Sequence, residues 1–278
     1  MEMARKPSRT MRRKPAKSAS AGKSAAKVKS LRTVSRASAR KSVAVRKPAT
    51  ARKLPAARKT QAKRAAAKAP ALKPTLYGIW LSGPTYKVGL ALSLMGVPFS
   101  YVHLDLREGA HKTPEYIELN RYGQVPCLVD GKRALCQSAS ILEYLAERTG
   151  KLSGKSAADK IRVREWMFWE FDRLAPPVYR MRAIRRGLMQ GTPEIEQMFT
   201  TNAKLAFDVL DKHLAGRDWL VGKSPTIADV DVYGVVAYAG EAGYDLSGYA
   251  NVTAWIARLQ GLKGFGAHDA LLPKESRA

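Results

Sequence analysis

Three short stretches hold the residues whose types and spacing could do chemistry. In "WLSGPTYK" Ser82 stands two residues ahead of Pro84, where an aromatic, β-branched run gives way to a helical pattern. Proline is favoured in the first turn of a helix, so Ser82 reads first as the residue that caps one. A helix start also presents unpaired N–H groups and a partial positive charge, which suit an anion. In "CQSASILEYLA" Ser138 is placed to cap a second helix, with Gln137 just before it. In "GQVPCLVDG" the apolar run Val125, Cys127, Leu128, Val129 reads as a buried strand, but Pro126 sits inside it. Proline cannot donate to a sheet ladder and belongs at an edge, a strand start or a bulge. Other chemistries find less support. The four histidines are scattered with no Cys/His cluster, so no metal site is expected. Cys127 and Cys136 flank a predicted hairpin and are not in Cys-x-x-Cys spacing, which argues against a thiol-disulfide role.

The elements that must position these residues follow from pattern. "TLYGIW" is a short strand. "TYKVGLALSLMG" has apolar residues at helical spacing, opened by Pro84 and closed by Gly96. "VPFSYVHLDL" (97–106) is a second strand and "TPEYIELN" a short helix. "VPCLV", the turn "DGKR" and "ALC" form a hairpin, and "SASILEYLAERTG" is a helix ended by Gly150. The order strand, helix, strand, helix, strand, strand, helix predicts one mixed sheet: a parallel βαβ unit followed by an antiparallel hairpin. Beyond Gly150 every pattern is helical. A long segment carries Pro176 and Pro177 as a kink. The next segment has apolar positions 195, 198, 199, 205, 206, 209, 210 and 214 at helical spacing. "SPTIADVDVY" begins with Thr226 and Asp229 at capping-box spacing, and the apolar run behind it predicts the buried centre of a helical domain.

Composition divides the chain unevenly. Of 49 Lys and Arg residues in a chain of net charge +26, 24 fall in residues 1–74, against one acid, Glu2. Residues 75–278 are almost neutral. The first 74 residues have no aromatic residue and consist mostly of Ala, Lys, Arg, Ser and Pro. Such composition buries too little apolar surface to offset the entropy of ordering, so a disordered basic tail is expected. Residues 75–150 are expected to be an α/β domain and residues 151–278 an all-α domain. No apolar run of 18 or more residues suggests a membrane span, and the start lacks a signal-peptide core. Two unpaired thiols fit a reducing cytoplasm.

"LYGIWLSGPTYKVGLALSLMGVPFSYVHLDL", "NRYGQVPCLVDG", "LCQSASILEYLA" and "SPTIADVDVY", in this order and spacing, resemble the cytosolic glutathione transferase family. The likeness covers residues 75–278 and is greatest to bacterial members that use serine. It implies a thioredoxin-like domain (βαβαββα) followed by an all-helical domain, usually as a homodimer. It further implies that glutathione is the co-substrate, that no metal is needed, and that a thioether is formed with an electrophilic small molecule. Peroxide or disulfide reduction occurs in some members.

The site residues follow from the same resemblance. Free thiols ionise near pH 8.5, and a hydrogen bond to the sulfur favours the thiolate. Ser82 occupies the family's sulfur-contacting position, with Thr85, Tyr86 or backbone donors as substitutes if it faces away. "SGPT" replaces the more frequent "SGNC" or "SGNS", and the proline removes one N–H. Pro126 is implied to be cis and to open its strand, leaving the backbone of Val125 to pair with the cysteinyl unit. Gln137 and Ser138 hold the γ-glutamyl end, with Gln where many members carry Glu. Lys112 meets the glycine carboxylate, with His111 beside it, and Gln124 reaches the cysteinyl-glycine part. Trp166, Trp169, Tyr179 and Met181 are candidates to line the electrophile site. A different reading keeps the fold without turnover, as a binding or regulatory protein. The tail suggests non-specific nucleic-acid binding, since a polycation releases counterions from DNA. A transit peptide or an extension with no role are the other readings of it.

Overall fold

The computed structural model describes residues 72–277, so the expected disordered tail lies outside the described residues except at its last few positions. Those positions already join the fold: Leu72 packs against the core and the Pro74 carbonyl accepts from the Ser100 N–H at 3.1 Å. β1 (Thr75–Gly78) and β2 (Ser100–His103) run parallel, and between them lies α1 (Gly83–Met95). A short 3-10 turn (Ala110–Lys112) and α2 (Pro114–Leu119) lead to β3 (Cys127–Asp130) and β4 (Arg133–Cys136), then α3 (Ser138–Thr149). The sheet order is β2-β1-β3-β4, with β3 antiparallel to both neighbours. This is the mixed sheet that the element order implied, in the thioredoxin-like arrangement that the resemblance implied.

The second strand is shorter than its alternation suggested. Pairing with β1 covers Ser100–His103 alone, because β1 itself is four residues long. The outer edge of β2 is closed by the chain end, where Tyr101 and Arg277 form an isolated antiparallel bridge. Covering an edge in this way removes a template for unwanted strand pairing.

The rest of the described chain is helical: α4 (Ala157–Trp169), a π-turn (Glu170–Leu174), α5 (Ala175–Arg185), α6 (Pro193–Leu214), α7 (Ile227–Val236), α8 (Ala250–Gln260) and α9 (His268–Leu271). Pro176 and Pro177 come just after the π-turn, in a helical run unbroken from α4 through α5. The irregularity expected there is the π-turn just ahead, closed by the Ala175 N–H on the Glu170 carbonyl. α7 is buried at every residue, as its sequence predicted. Thr226 and Asp229 form the expected capping box, and the buried Asp229 carboxylate also accepts from Leu220 N–H (2.9 Å) and Trp255 Nε1 (3.0 Å). One carboxylate thus ties the start of α7 to the preceding loop and to α8.

α1 lies between the two layers, packed on α3 and on α7, and is buried on nearly all sides. The apolar positions at helical spacing in 195–214 do lie on one helix, and the structure shows which of them are covered. Ile195, Met198, Leu205 and Val209 of α6 are 37–58% exposed, while Ala203, Ala206, Phe207, Leu210 and Leu214 enter the core. α6 therefore has two apolar faces, one of them open.

Candidate active site at one end of the sheet

Strand register brings the three chemistry-bearing stretches together. Tyr77 near the end of β1 pairs with Cys127 at the start of β3, and Cys127 pairs with Cys136 at the end of β4. The chain beyond β1, the chain ahead of β3 and the chain beyond β4 therefore emerge at the same end of the sheet. These segments carry Ser82, Val125–Pro126 and Gln137–Ser138.

Ser82 is the N-cap of α1. Its Oγ accepts from the Thr85 N–H at 3.2 Å, and its own N–H donates to the Ile79 carbonyl at 3.0 Å. The hydroxyl proton is left free to donate. Pro84 has no N–H and Thr85 uses its own, so Gly83 N–H is the one open backbone donor of this first turn. The partly exposed Ser82 hydroxyl and this unpaired N–H, whose residue is buried against Tyr179, lie together at the positive end of a helix, which suits an anion. The substitutes do not share this position. Thr85 is fully buried, and Tyr86 is 1% exposed with its hydroxyl on the Gly266 carbonyl at 2.9 Å.

Val125–Pro126 is cis, as the resemblance implied. The ladder with β1 stops at Cys127, so Val125 lies outside it, and its N–H and C=O have no partner among the described residues. Its neighbours are fixed. The Gln124 carbonyl accepts from Tyr116 Oη (2.7 Å) and Asn120 Nδ2 (2.5 Å), and the Gly123 carbonyl accepts from Lys112 Nζ (2.9 Å). Lys112 is exposed and held beside this segment, and the Gln124 side chain is also exposed. His111 is half-buried, with its Nδ1 unpartnered.

The start of α3 departs from expectation. Ser138 is the first helical residue and not the cap. Gln137 occupies the cap position at φ 68°, in the left-handed region, and no side chain caps the helix. A non-glycine residue at positive φ is uncommon and costs free energy, so it draws attention to this turn. Its consequence is that the first N–H groups of α3 stay open, next to the half-buried Ser138 and the exposed Gln137. Three sets of open hydrogen-bonding groups thus share one end of the sheet.

The cysteines lie beside this site but are not poised as nucleophiles. Both thiols point to the Leu119 carbonyl, at 3.7 Å from Cys127 and 3.6 Å from Cys136. Burial, then the neighbouring Cys136, pushes the Cys127 thiol up to about 12, and burial raises Cys136 as well. A thiol that is not ionised is a poor nucleophile.

Of the residues considered for the electrophile site, Met181 belongs to the core at 1% exposure. Trp166 and Trp169 pack on each other with ring centres 4.9 Å apart, and Trp166 also stacks near His213. Tyr179 reaches the α1 start. Its hydroxyl donates to the Gly234 carbonyl at 2.9 Å, and a Cβ at Gly83 would run into its ring and hydroxyl. Glycine at 83 is therefore required by close approach.

Beneath the site is a cluster that the motifs did not show. Lys87 of α1 is buried, and its Nζ lies 2.8 Å from Glu170 in the π-turn and 3.0 Å from Asp231 of α7. Burial works against the Lys87 ammonium, but Asp231 and Glu170 outweigh it and raise its pKa. Burial, reinforced by Asp231 and opposed by Lys87, pushes the Glu170 carboxyl up to about 8. The available signal was one lysine and one aspartate, each in a helix otherwise suited to complete burial, since such charges are almost always paired.

Known proteins match both the sheet-bearing and the helical part of the chain. The N-terminal domain of glutathione S-transferases matches residues 72–147, and the C-terminal domain of the same proteins matches residues 193–258. Glutathione S-transferase 3 of Zea mays is 34% identical over 56% of this chain and 73% of its own length. Maleylacetoacetate isomerase of Rhizobium meliloti is 32% identical over 70% of this chain and 95% of its own. A crystal structure of a glutathione S-transferase from Xanthobacter autotrophicus Py2 superposes with a TM-score of 0.66 at 32% identity, covering 72% of this chain and 98% of that one. The chain belongs to the glutathione S-transferase family. It is an enzyme of that family, and glutathione is its co-substrate.

Proposed function

We propose that the protein joins the glutathione sulfur to an electrophilic carbon, with Ser82 as the residue that holds the thiolate. The observation that supports this most is the register Tyr77–Cys127–Cys136, which gathers the three open stretches at one end of the sheet. In this reading the Ser82 hydroxyl and Gly83 N–H donate to the sulfur, which lowers its pKa. The N–H and C=O of Val125 pair strand-like with the cysteinyl unit, next to Pro126. The open start of α3, with Ser138, takes the α-carboxylate, and Gln137 accepts from the ammonium. Lys112 and Gln124 serve the cysteinyl-glycine end. The thiolate attacks carbon, a C–S bond forms, and the carbon–leaving-group bond breaks with its electron pair leaving on that group. The thiol proton is released to solvent before attack.

The full-length protein is expected to be retained on immobilised glutathione and to conjugate a generic aryl halide. Parallel assays with a hydroperoxide and a mixed disulfide separate conjugation from reduction. Retention without turnover of any of them would refute a catalytic role for this site.

Phe168 and Phe171, each 73% exposed, and Ile161, 65% exposed, lie along α4 and the π-turn, and support a homodimer. A solution mass of one 30.5 kDa chain at micromolar concentration would oppose it. The unpaired cysteines favour a cytoplasmic enzyme, which cell fractionation checks. The charge of residues 1–74 supports non-specific nucleic-acid binding. Binding of duplex DNA is expected to weaken steeply as salt rises from ~50 to ~200 mM. Deletion of residues 1–74 is expected to abolish it, and equal retention of the deleted form would end this reading.

A further inference from the structure

One face of α5 grips the Ser82 turn from both sides. Tyr179 and Arg182 are three residues apart on that helix and so share a face. Tyr179 packs against Gly83, the residue after Ser82. Arg182 Nη1 donates to the carbonyl of Leu81, the residue before it, at 2.7 Å. The guanidinium is itself held in place: Nε meets Glu241 Oε2 at 3.0 Å, and the Tyr238 ring lies 3.9 Å from Cζ. Glu241 also takes Arg186 at 2.9 Å, so one carboxylate serves two cations. Arg182 is 8% exposed, and its Nη2 is buried without a hydrogen-bond partner. A buried arginine with an unspent donor is costly to keep unless its placement matters.

We infer that Arg182 is a positioning residue for the reaction, pinning the Leu81 carbonyl so that the Ser82 hydroxyl is aimed at the sulfur. The peptide plane between Leu81 and Ser82 sets the direction of the Ser82 backbone. The Leu81–Ser82 peptide between β1 and α1 is held on both sides: its N–H donates to the Ile79 carbonyl within the turn at 3.0 Å, and its C=O accepts from Arg182, the hold that comes from the helical layer. Small displacements of a hydrogen-bonding group lose much of its effect on a reacting atom. The contact also explains how the helical layer serves a site built on the sheet. It acts through the loop, with no contact to substrate. This inference rests on the reading of Ser82 as the sulfur contact.

The test uses full-length protein with Arg182→Met, Arg182→Lys, Ser82→Ala and the double variant Ser82→Ala/Arg182→Met. The readouts are the pKa of bound glutathione, followed by thiolate absorbance, and kcat and KM for glutathione. Arg182→Met is expected to raise the pKa of bound glutathione by about one, a roughly tenfold fall in thiolate below that pKa. kcat falls in proportion, while KM for glutathione stays within about twofold, because the contacts to Val125 and α3 are untouched. In the Ser82→Ala background the same change has no further effect, since the arginine acts through the serine. Arg182→Lys keeps the charge but cannot span both Leu81 and Glu241, and is expected to shift the pKa the same way. It serves as the second variant if the methionine form does not fold. A wild-type pKa in both Arg182 variants, or an equal shift with and without Ser82, would overturn the inference. If Ser82→Ala alone leaves the pKa unchanged, the reading of Ser82 fails, a result distinguishable from failure of the positioning role.

Discussion

Ser82→Ala is expected to lower the conjugation rate about 10- to 100-fold below the pKa of bound glutathione, with little change in glutathione affinity. The size follows from the bond removed. A hydrogen bond to a charged acceptor is worth about 1.5–3 kcal/mol, and each ~1.4 kcal/mol in the barrier is tenfold in rate. The affinity is spared because most of the peptide is held elsewhere, at Val125, Gln137 and the open start of α3. The pH profile gives the sign. Activity rises as bound glutathione ionises, and without the Ser82 donor that rise moves to higher pH, so the loss shrinks in alkaline buffer. A variant with unchanged profile and rate would transfer the role to the Gly83 N–H. Thr85 and Tyr86 are poor substitutes, since both side chains are buried in the core.

Lys87→Met is expected to be strongly destabilising. It would leave Glu170 and Asp231 facing each other in a buried contact between α1, the π-turn and α7. Breaking a buried ion pair by removing one partner costs about 3–5 kcal/mol. For a fold of this size that lowers the melting midpoint by roughly 6–20 °C. Replacing Glu170 and Asp231 as well by uncharged residues should recover much of the loss. A midpoint for Lys87→Met within a degree or two of wild type would contradict the account of this cluster.

The same cluster sets a pH dependence. Glu170 is pushed from its ordinary 4.5 up to about 8, by burial first and by Asp231 next, against the pull of Lys87. The folded state thus holds a proton that the unfolded chain gives up near 4.5. This contribution to stability is full below about pH 4.5 and is lost as pH rises through about 8. Glu170→Gln is expected to flatten that slope.

Local features were legible in the sequence because local physics writes them there. The Thr226–Asp229 box, the Gly96 and Gly150 helix ends and the hairpin turn at Gly131 each depend on a few adjacent residues, and each stands where it was expected. Pro126 inside an apolar run signalled a strand start, and the ladder indeed begins at Cys127. What was not legible is non-local. Arg182 and Leu81 are 101 residues apart in sequence, and nothing around either names the other. The Lys87 cluster joins three separate elements. The exposed stripe of α6 could not be told from a buried one, because periodicity shows which residues share a face and not what covers it. At α3 a serine before an apolar helix suggested a cap. The backbone instead turns at Gln137 in the left-handed region, a choice that no local preference of glutamine would indicate.

In the proposed reading, glutathione sits at the sheet end with its sulfur on Ser82. A crystal structure of the full-length protein soaked with glutathione tests it most directly. The sulfur is expected within hydrogen-bond reach of Ser82 Oγ, the cysteinyl amide paired with the Val125 backbone and the γ-glutamyl carboxylate at the start of α3. Glutathione bound with its sulfur away from the α1 start, or with Val125 unpaired, would contradict this reading.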